Sequence, residues 1–212
     1  MAVPERATGR RRIGLHYGPV AQDTCAIVAD YLTNQFLIAM PRMDDPNFAQ
    51  TVTLVCEHSD RGALGIVVNR TLPMTLGDVF EQLGLDSSKS RLNGQTVLRG
   101  GPVQTERGFV LHSPAGKWES TLPFSERMHL TTSRDILDAI AAGEGPESAV
   151  IALGYAGWEA GQLDEEMARN AWLTVSADER LIFETPVDER WQGAARMLGI
   201  NLLALSSDAG HA

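Results

Sequence analysis

The chain of 212 residues is the length of one domain, and its 43% hydrophobic and 21% charged residues exclude a largely disordered chain, a collagen-like repeat and a coiled coil. No run approaches 18 consecutive apolar residues, which excludes a helical membrane span. The formal charge of -9 argues against a protein whose whole surface grips nucleic acid or an anionic membrane.

The charge is uneven along the chain. Arg6, Arg10, Arg11 and Arg12 face only Glu5, a basic tip on an acidic body. Residues 1–30 show no sustained hydrophobic period and no apolar stretch after the arginines, so they are expected to be a flexible N-terminal extension rather than a secretory signal. Two cysteines, Cys25 and Cys56, do not make a disulfide framework, and a reducing cytoplasm is the expected compartment.

The patterned part runs from about residue 31 to 203, with 204–212 expected to be a tail. Phe36 to Met40 reads as a short buried strand stopped by Pro41. Thr51 to Glu57 alternates and is rich in β-branched residues. The polar segment His58 to Gly62 then turns it into a second strand, Ala63 to Asn69, as an exposed hairpin. Thr75 and Asp78 form a capping-box pair ahead of Leu76, Val79, Phe80 and Leu83, predicting an amphipathic helix ended by Gly84. Strands are predicted at Thr96–Arg99, Gly108–Ser113 and Leu130–Thr132, a helix from Asp135 to Gly143, and a central strand from Ala149 to Tyr155 that is apolar on both faces. A short acidic helix from Leu163 to Asn170 follows, then strands Ala171–Val175 and Leu181–Phe183. The last helix is predicted with Thr185 and Asp188 as cap pair, Pro186 at its first position, and Trp191, Ala194, Ala195 and Leu198 on one face up to Gly199. Hairpins interrupted by helices, without strict βαβ alternation, predict a single α+β domain with a mixed, largely antiparallel sheet and several packed helices.

Three runs carry a resemblance to a known family. Residues 35–69 contain Gln35-Phe-Leu-Ile-Ala-Met-Pro41, Asp45-Pro46, Cys56-Glu57-His58 and Gly65-Ile-Val-Val-Asn69. The second run extends from Gly100-Gly101-Pro102 through Glu106-Arg107-Gly108 to His112-Ser113-Pro114. The third is Leu130 to Asp135, continued by Ala152-Leu-Gly-Tyr-Ala-Gly-Trp158, Gly161-Gln162-Leu163 and Asn170 to Thr174. Together they resemble the AlgH/YqgE family, also labelled UPF0301 or DUF179, in order from about 35 to 200. The resemblance implies a compact cytosolic bacterial protein, one member having lent the family the label of a regulator of exopolysaccharide genes. It implies no agreed enzyme activity, cofactor or catalytic residue set.

Cys56-Glu57-His58 is open to thiol or metal chemistry, but on a regular strand Cys56 and His58 share a face, and a small buried hydrophobe is the favoured reading of the cysteine. Two ligands do not make a metal site, and no C-x-x-C or H-x-x-x-H accompanies them. Gly100 and Gly101 lack any phosphate-loop pattern and read as a tight turn. Arg107 can clamp an anion bidentately or form a surface salt bridge, and the salt bridge is favoured. His112, Ser113 and Asp135 hold the residue types of a hydrolytic triad without the strained serine elbow. Tyr155 and Trp158 are expected on a loop after the central strand, either as a ligand surface or as packing at the sheet edge. The expectation is therefore a non-catalytic binding or regulatory protein, acting on transcription only indirectly, without cofactor or metal. Its partner is an unidentified protein or a small anionic ligand, direct nucleic-acid and membrane binding are not expected, and the oligomeric state is open. A pocket, if formed, is expected to draw on Gly100, Gly101, Arg107 and His112, with Tyr155 and Trp158 nearby. The alternative is a small enzyme built on Cys56/His58 or Arg107/His112.

Overall fold

Apolar runs with β-branched residues pair in chain order to begin the sheet. Strand β1 (Gln35–Ala39) lies antiparallel to β2 (Val52–Ser59), which turns through Asp60 and Arg61 into β3 (Gly62–Val67). The hairpin is tighter than the polar residues suggested, because His58 and Ser59 belong to the strand and His58 is buried. A computed structural model describes residues 31–114 and 116–200; the expected extension 1–30, with Cys25, and the tail 204–212 lie outside them.

The long strands β6 (Val103–Ser113) and β9 (Ser148–Trp158) form the antiparallel centre of the domain, each extending further than its apolar run predicted. Beyond β6 lie β8 (His129–Thr131) and β7 (Thr121–Pro123), and at the opposite edge β10 (Trp172–Ser176) pairs with β1, giving the strand order β10-β1-β2-β3-β9-β6-β8-β7. Strands β4 (Thr71–Thr75) and β5 (Thr96–Arg99), separated in the chain by residues 76–95, pair antiparallel and join this path through the parallel pairing of β5 with β9. The sheet is thus mixed and largely antiparallel, as expected of an α+β domain.

Helices cover both faces, which is why so many strand residues are buried irrespective of alternation. On one face Phe36, Ile38, Leu54, Ile66 and Leu111 pack under α4 (Glu179–Phe183) and α5 (Arg190–Met197). On the other, Val97, Val110 and Ile151 meet Leu76 and Phe80 of α1 (Leu76–Gln82) and Ile136 and Ile140 of α2 (Asp135–Ala142). A third cluster joins Leu37, Val55, Trp158 and Trp172 to Leu163 of α3 (Gln162–Ala168).

The caps at α1 and α2 follow the sequence. Thr75 N–H donates to Asp78 Oδ2 at 2.7 Å while Asp78 N–H returns to Thr75 Oγ1, and the Thr75 N–H and hydroxyl donated to Oδ2 hold the Asp78 carboxyl below its usual range. Two expectations near the C-terminus fail. Leu181–Phe183 is helical, because Asp178 in extended conformation caps the Arg180 N–H at 2.9 Å and the turn buries Leu181 and Ile182 together. Three apolar residues are too few to distinguish a helical turn from a strand. Thr185 and Asp188 form no cap pair either: Thr185 donates its hydroxyl to Arg180 C=O at 3.1 Å, Pro186 stays extended, and α5 begins through a 3-10 turn at Val187–Glu189. Trp191, Ala194 and Ala195 are buried as predicted.

A candidate anion cleft at Arg70 and Arg99

The turn between β5 and β6 brings backbone against backbone. Gly100 N–H donates to Leu153 C=O and Gly100 C=O accepts from Val67 N–H, both at 2.8 Å. A Cβ on Gly100 would stand 2.3 Å from Gly154 O, and one on Gly101, where φ is +157°, would stand 2.1 Å from the Tyr155 carbonyl carbon. Both glycines are therefore imposed by close approach to β9, the tight-turn reading.

Gly101 also floors a cleft of about 440 Å³ whose walls include Val67, Leu72, Leu153, Pro46 and Pro102. Arg70 and Arg99 enter it from neighbouring chain segments. Thr71 pairs with Leu98 in the β4–β5 ladder, and Arg99 N–H donates to Arg70 C=O at 2.9 Å, so the two arginines stand directly across from each other. Arg70 Nη2 donates to Ala49 C=O at 2.5 Å, which fixes one corner of its guanidinium. Neither arginine forms an ion pair among the described residues. Two carboxylates adjoin the lining in sequence: Asp45 is engaged by Asn47, whose N–H and Nδ2 donate to it at 2.8 and 3.1 Å, and Glu106, beside Thr105, is exposed on β6. Like charges directly opposite on a ladder are destabilising, so this pair costs stability unless an anion lies between them.

The six residues singled out in the sequence do not gather at one place. Gly101 lines the cleft just described, with Gly100 buried beside it. Arg107 and Tyr155 line a separate cavity of about 380 Å³ with Leu64, Phe109 and Leu122. There Arg107 lies over the Phe109 ring, 5.4 Å from its centroid, and bonds Gln104, with no ion pair among the described residues. Tyr155 and Trp158 belong to β9 itself rather than to a loop after it. Trp158 is buried, its indole N–H donating to Glu166 Oε2 at 3.0 Å beside that of Trp172 at 2.8 Å. This is the packing reading of that tryptophan. His112 is fully buried: its Nε2 lies 2.9 Å from Thr131 Oγ1, which lies 2.8 Å from Thr121 Oγ1. Burial holds its imidazole below the ordinary range.

The catalytic alternatives are taken apart by the fold. A β-bulge between Val55 and Glu57 changes the parity of β2, so Cys56 and His58 do not share a face. Cys56 packs with Leu54 and Ile66, and burial raises its thiol pKa far above the ordinary value. His58, paired with Ala63, turns to the side of α3, where Nδ1 accepts the Leu32 N–H at 3.1 Å and Nε2 lies 3.7 Å from Asp164. Ser113 donates to Glu179, itself held by Arg127, while Asp135 is occupied by Ser133 and the Glu119 N–H, so no triad forms. Among the described residues no three His, Cys, Asp or Glu side chains assemble as a metal site.

Arg70 and Arg99 escaped the sequence reading because Pro73 masks β4 as a strand. A proline is compatible with an edge strand, and among the described residues β4 pairs only with β5. The available signal was an arginine at the end of each of two short runs that pair.

Comparison with known proteins agrees with the fold. A relative from Thioalkalivibrio sulfidiphilus, carrying the name UPF0301 protein, is 56% identical over 180 residues, 85% of this chain and 96% of its own. One from Saccharophagus degradans is 54% identical over 181 residues, 85% of this chain and 89% of its own. The solution structure of the AlgH protein from Pseudomonas aeruginosa is similar at a TM-score of 0.71 and 52% identity, covering 87% of this chain and 97% of that one. A Corynebacterium diphtheriae protein shares the fold at a TM-score of 0.67 and 18% identity, over 81% of this chain and 89% of that one. The family model described as AlgH-like matches residues 36–203, and the chain belongs to that family.

Proposed function

We propose that the protein is a non-catalytic binding protein of regulatory type, which takes up a small anion between Arg70 and Arg99 and transmits that occupancy to a protein partner. The observation that carries this reading is the like-charged pair itself: two guanidinium groups face one cleft without an ion pair among the described residues, in a chain of net charge -9. An anion between them forms charge-assisted bonds and removes the mutual repulsion. An enzyme based on Cys56/His58 or Arg107/His112 finds no support in the separated positions of those side chains. An acidic body argues for an indirect effect on transcription, through a protein rather than DNA. No described helix is long and apolar enough to cross a membrane, and the cytoplasm is the compartment we propose. The test is thermal unfolding of the full chain against a panel of sulfate, phosphate, malonate and citrate. At least one anion raises Tm in the wild type, and Arg70→Ala abolishes the rise. A flat response across the panel refutes the reading.

A further inference from the structure

Resting on that anion-binding reading, we infer that the occupant is a phosphorylated small molecule, its phosphoryl group held jointly by Arg70 and Arg99 and its organic body lying along the apolar wall of the cleft. The two arginines are rooted side by side, joined by the bond from Arg99 N–H to Arg70 C=O at 2.9 Å. Forks with adjacent roots converge on one head group, whereas a ligand with two separated carboxylates calls for forks set apart.

The donor count points the same way. Arg70 commits one nitrogen to Ala49 C=O, leaving the rest of its fork, and no side-chain bond engages the guanidinium of Arg99 among the described residues. Two forks present more N–H groups than the two oxygens of a single carboxylate accept, roughly four lone-pair positions. A phosphomonoester brings three oxygens and a charge of about -1.5 to -2 near neutral pH, matching two guanidinium charges. Thr105 at the same cleft adds a hydroxyl within the polar part of its lining.

Size and polarity then require more than free phosphate. The cleft of about 440 Å³ falls in the range of small-molecule sites, ~300–1,000 Å³. Val67, Leu72, Leu153, Pro46 and Pro102 supply an apolar wall that a bare phosphate leaves uncovered. An organic substituent covers it and adds affinity in proportion to the area it takes out of water.

Calorimetric titration of the full chain with inorganic phosphate, phenyl phosphate and malonate tests the inference, with thermal unfolding in parallel. Phenyl phosphate is expected to bind at least tenfold more tightly than the other two and, at one hundred times its Kd, to raise Tm by about 5–10 °C. Arg99→Ala is expected to weaken phenyl phosphate binding at least tenfold. Without ligand at low salt its Tm equals or exceeds that of wild type, because repulsion is relieved, which separates a lost site from a lost fold. Arg107→Ala, in the other cavity, leaves binding unchanged. Malonate bound through Arg70 and Arg99 with phenyl phosphate silent overturns the phosphoryl assignment and leaves the anion reading standing. Phenyl phosphate no tighter than inorganic phosphate overturns the organic body. Binding that persists in Arg70→Ala and Arg99→Ala overturns the site, and silence of every anion overturns this inference and the function proposed above together.

Discussion

Truncation of Trp191 measures how firmly the C-terminal helix holds the sheet. The side chain is 8% exposed, sits in the largest core cluster among Ile38, Leu54, Ala194 and Ile182, and donates its indole N–H to Ala39 C=O at 3.3 Å across 152 residues of chain. A buried tryptophan removes ~200 Å² from water, worth ~5 kcal/mol at ~25 cal/mol/Å², and Trp→Ala in a core costs ~3–5 kcal/mol after partial collapse of the cavity. Loss of the bond to Ala39 adds ~1 kcal/mol. Trp191→Ala should therefore cost ~4–6 kcal/mol, from about a third to all of the ~5–15 kcal/mol that stabilises an ordinary domain. Trp191→Phe keeps most of the apolar area and loses the indole donor, and should cost ~1–2 kcal/mol. Urea unfolding followed by far-UV circular dichroism reads both. With a slope of ~2 kcal/mol/M the midpoint drops by ~2–3 M for alanine and by less than ~1 M for phenylalanine. A cost below ~1 kcal/mol for Trp191→Ala refutes the packing account, and equal costs for the two variants refute the division between area and hydrogen bond.

Gly101→Ala places a Cβ 2.1 Å from the Tyr155 carbonyl carbon, so the turn must open away from β9; the variant should lose at least ~3 kcal/mol, and an unfolding midpoint equal to wild type refutes the clash. Cys56, in a Cys25→Ser background, should remain unmodified by a thiol reagent in the native protein and react only on unfolding, because burial raises its pKa and seals it from solvent; rapid native-state labelling refutes this. Burial lowers the pKa of His112 in the folded protein, so the unfolded chain binds the proton more readily. The stability tied to its neutral form is complete above the ordinary imidazole pKa of ~6.5 and declines as pH falls below it. His112→Gln should flatten that part of the stability profile, and a slope unchanged from wild type refutes the assignment.

The elements that were legible in the sequence are those whose signal is local. The Thr75–Asp78 capping box marks the start of α1 to the residue, and Gly143 ends α2 in the left-handed conformation at φ 79° because the cap geometry is written in a few adjacent positions. Leu181 and Ile182 read as a strand because a three-residue apolar run has no period. Only the Asp178 cap and the core beneath decided for a helical turn. The Thr185–Asp188 pattern has the spacing of a cap, yet the Thr185 hydroxyl found the Arg180 carbonyl already waiting at the end of α4. A local motif yields when a neighbouring element offers its side chain another partner.

The functional surface was less legible because its determinants are relations between segments. Alternation along β2 placed Cys56 and His58 together, and one bulged residue reversed that, separating a candidate thiol–imidazole pair by the thickness of the sheet. A bulge leaves no compositional mark in a run of apolar residues. Arg70 and Arg99 present the opposite case: unremarkable apart, they acquire meaning only when Thr71 registers against Leu98 and sets the two residues opposite each other at one cleft. Had either strand slipped by one residue, one arginine would point to the far side of the sheet and the charge conflict would vanish. Natural sheets tend to avoid such a pair, because opposite or neutral partners are more stable at directly opposed positions. The Gly100–Gly101 turn holds the end of β5 against β9 through the Leu153 carbonyl, while the bond from Arg99 N–H to Arg70 C=O holds the start of β4 against β5. Gly101 thus serves the site twice, as part of the cleft lining and in the turn that fixes where the chain leaves Arg99 against β9.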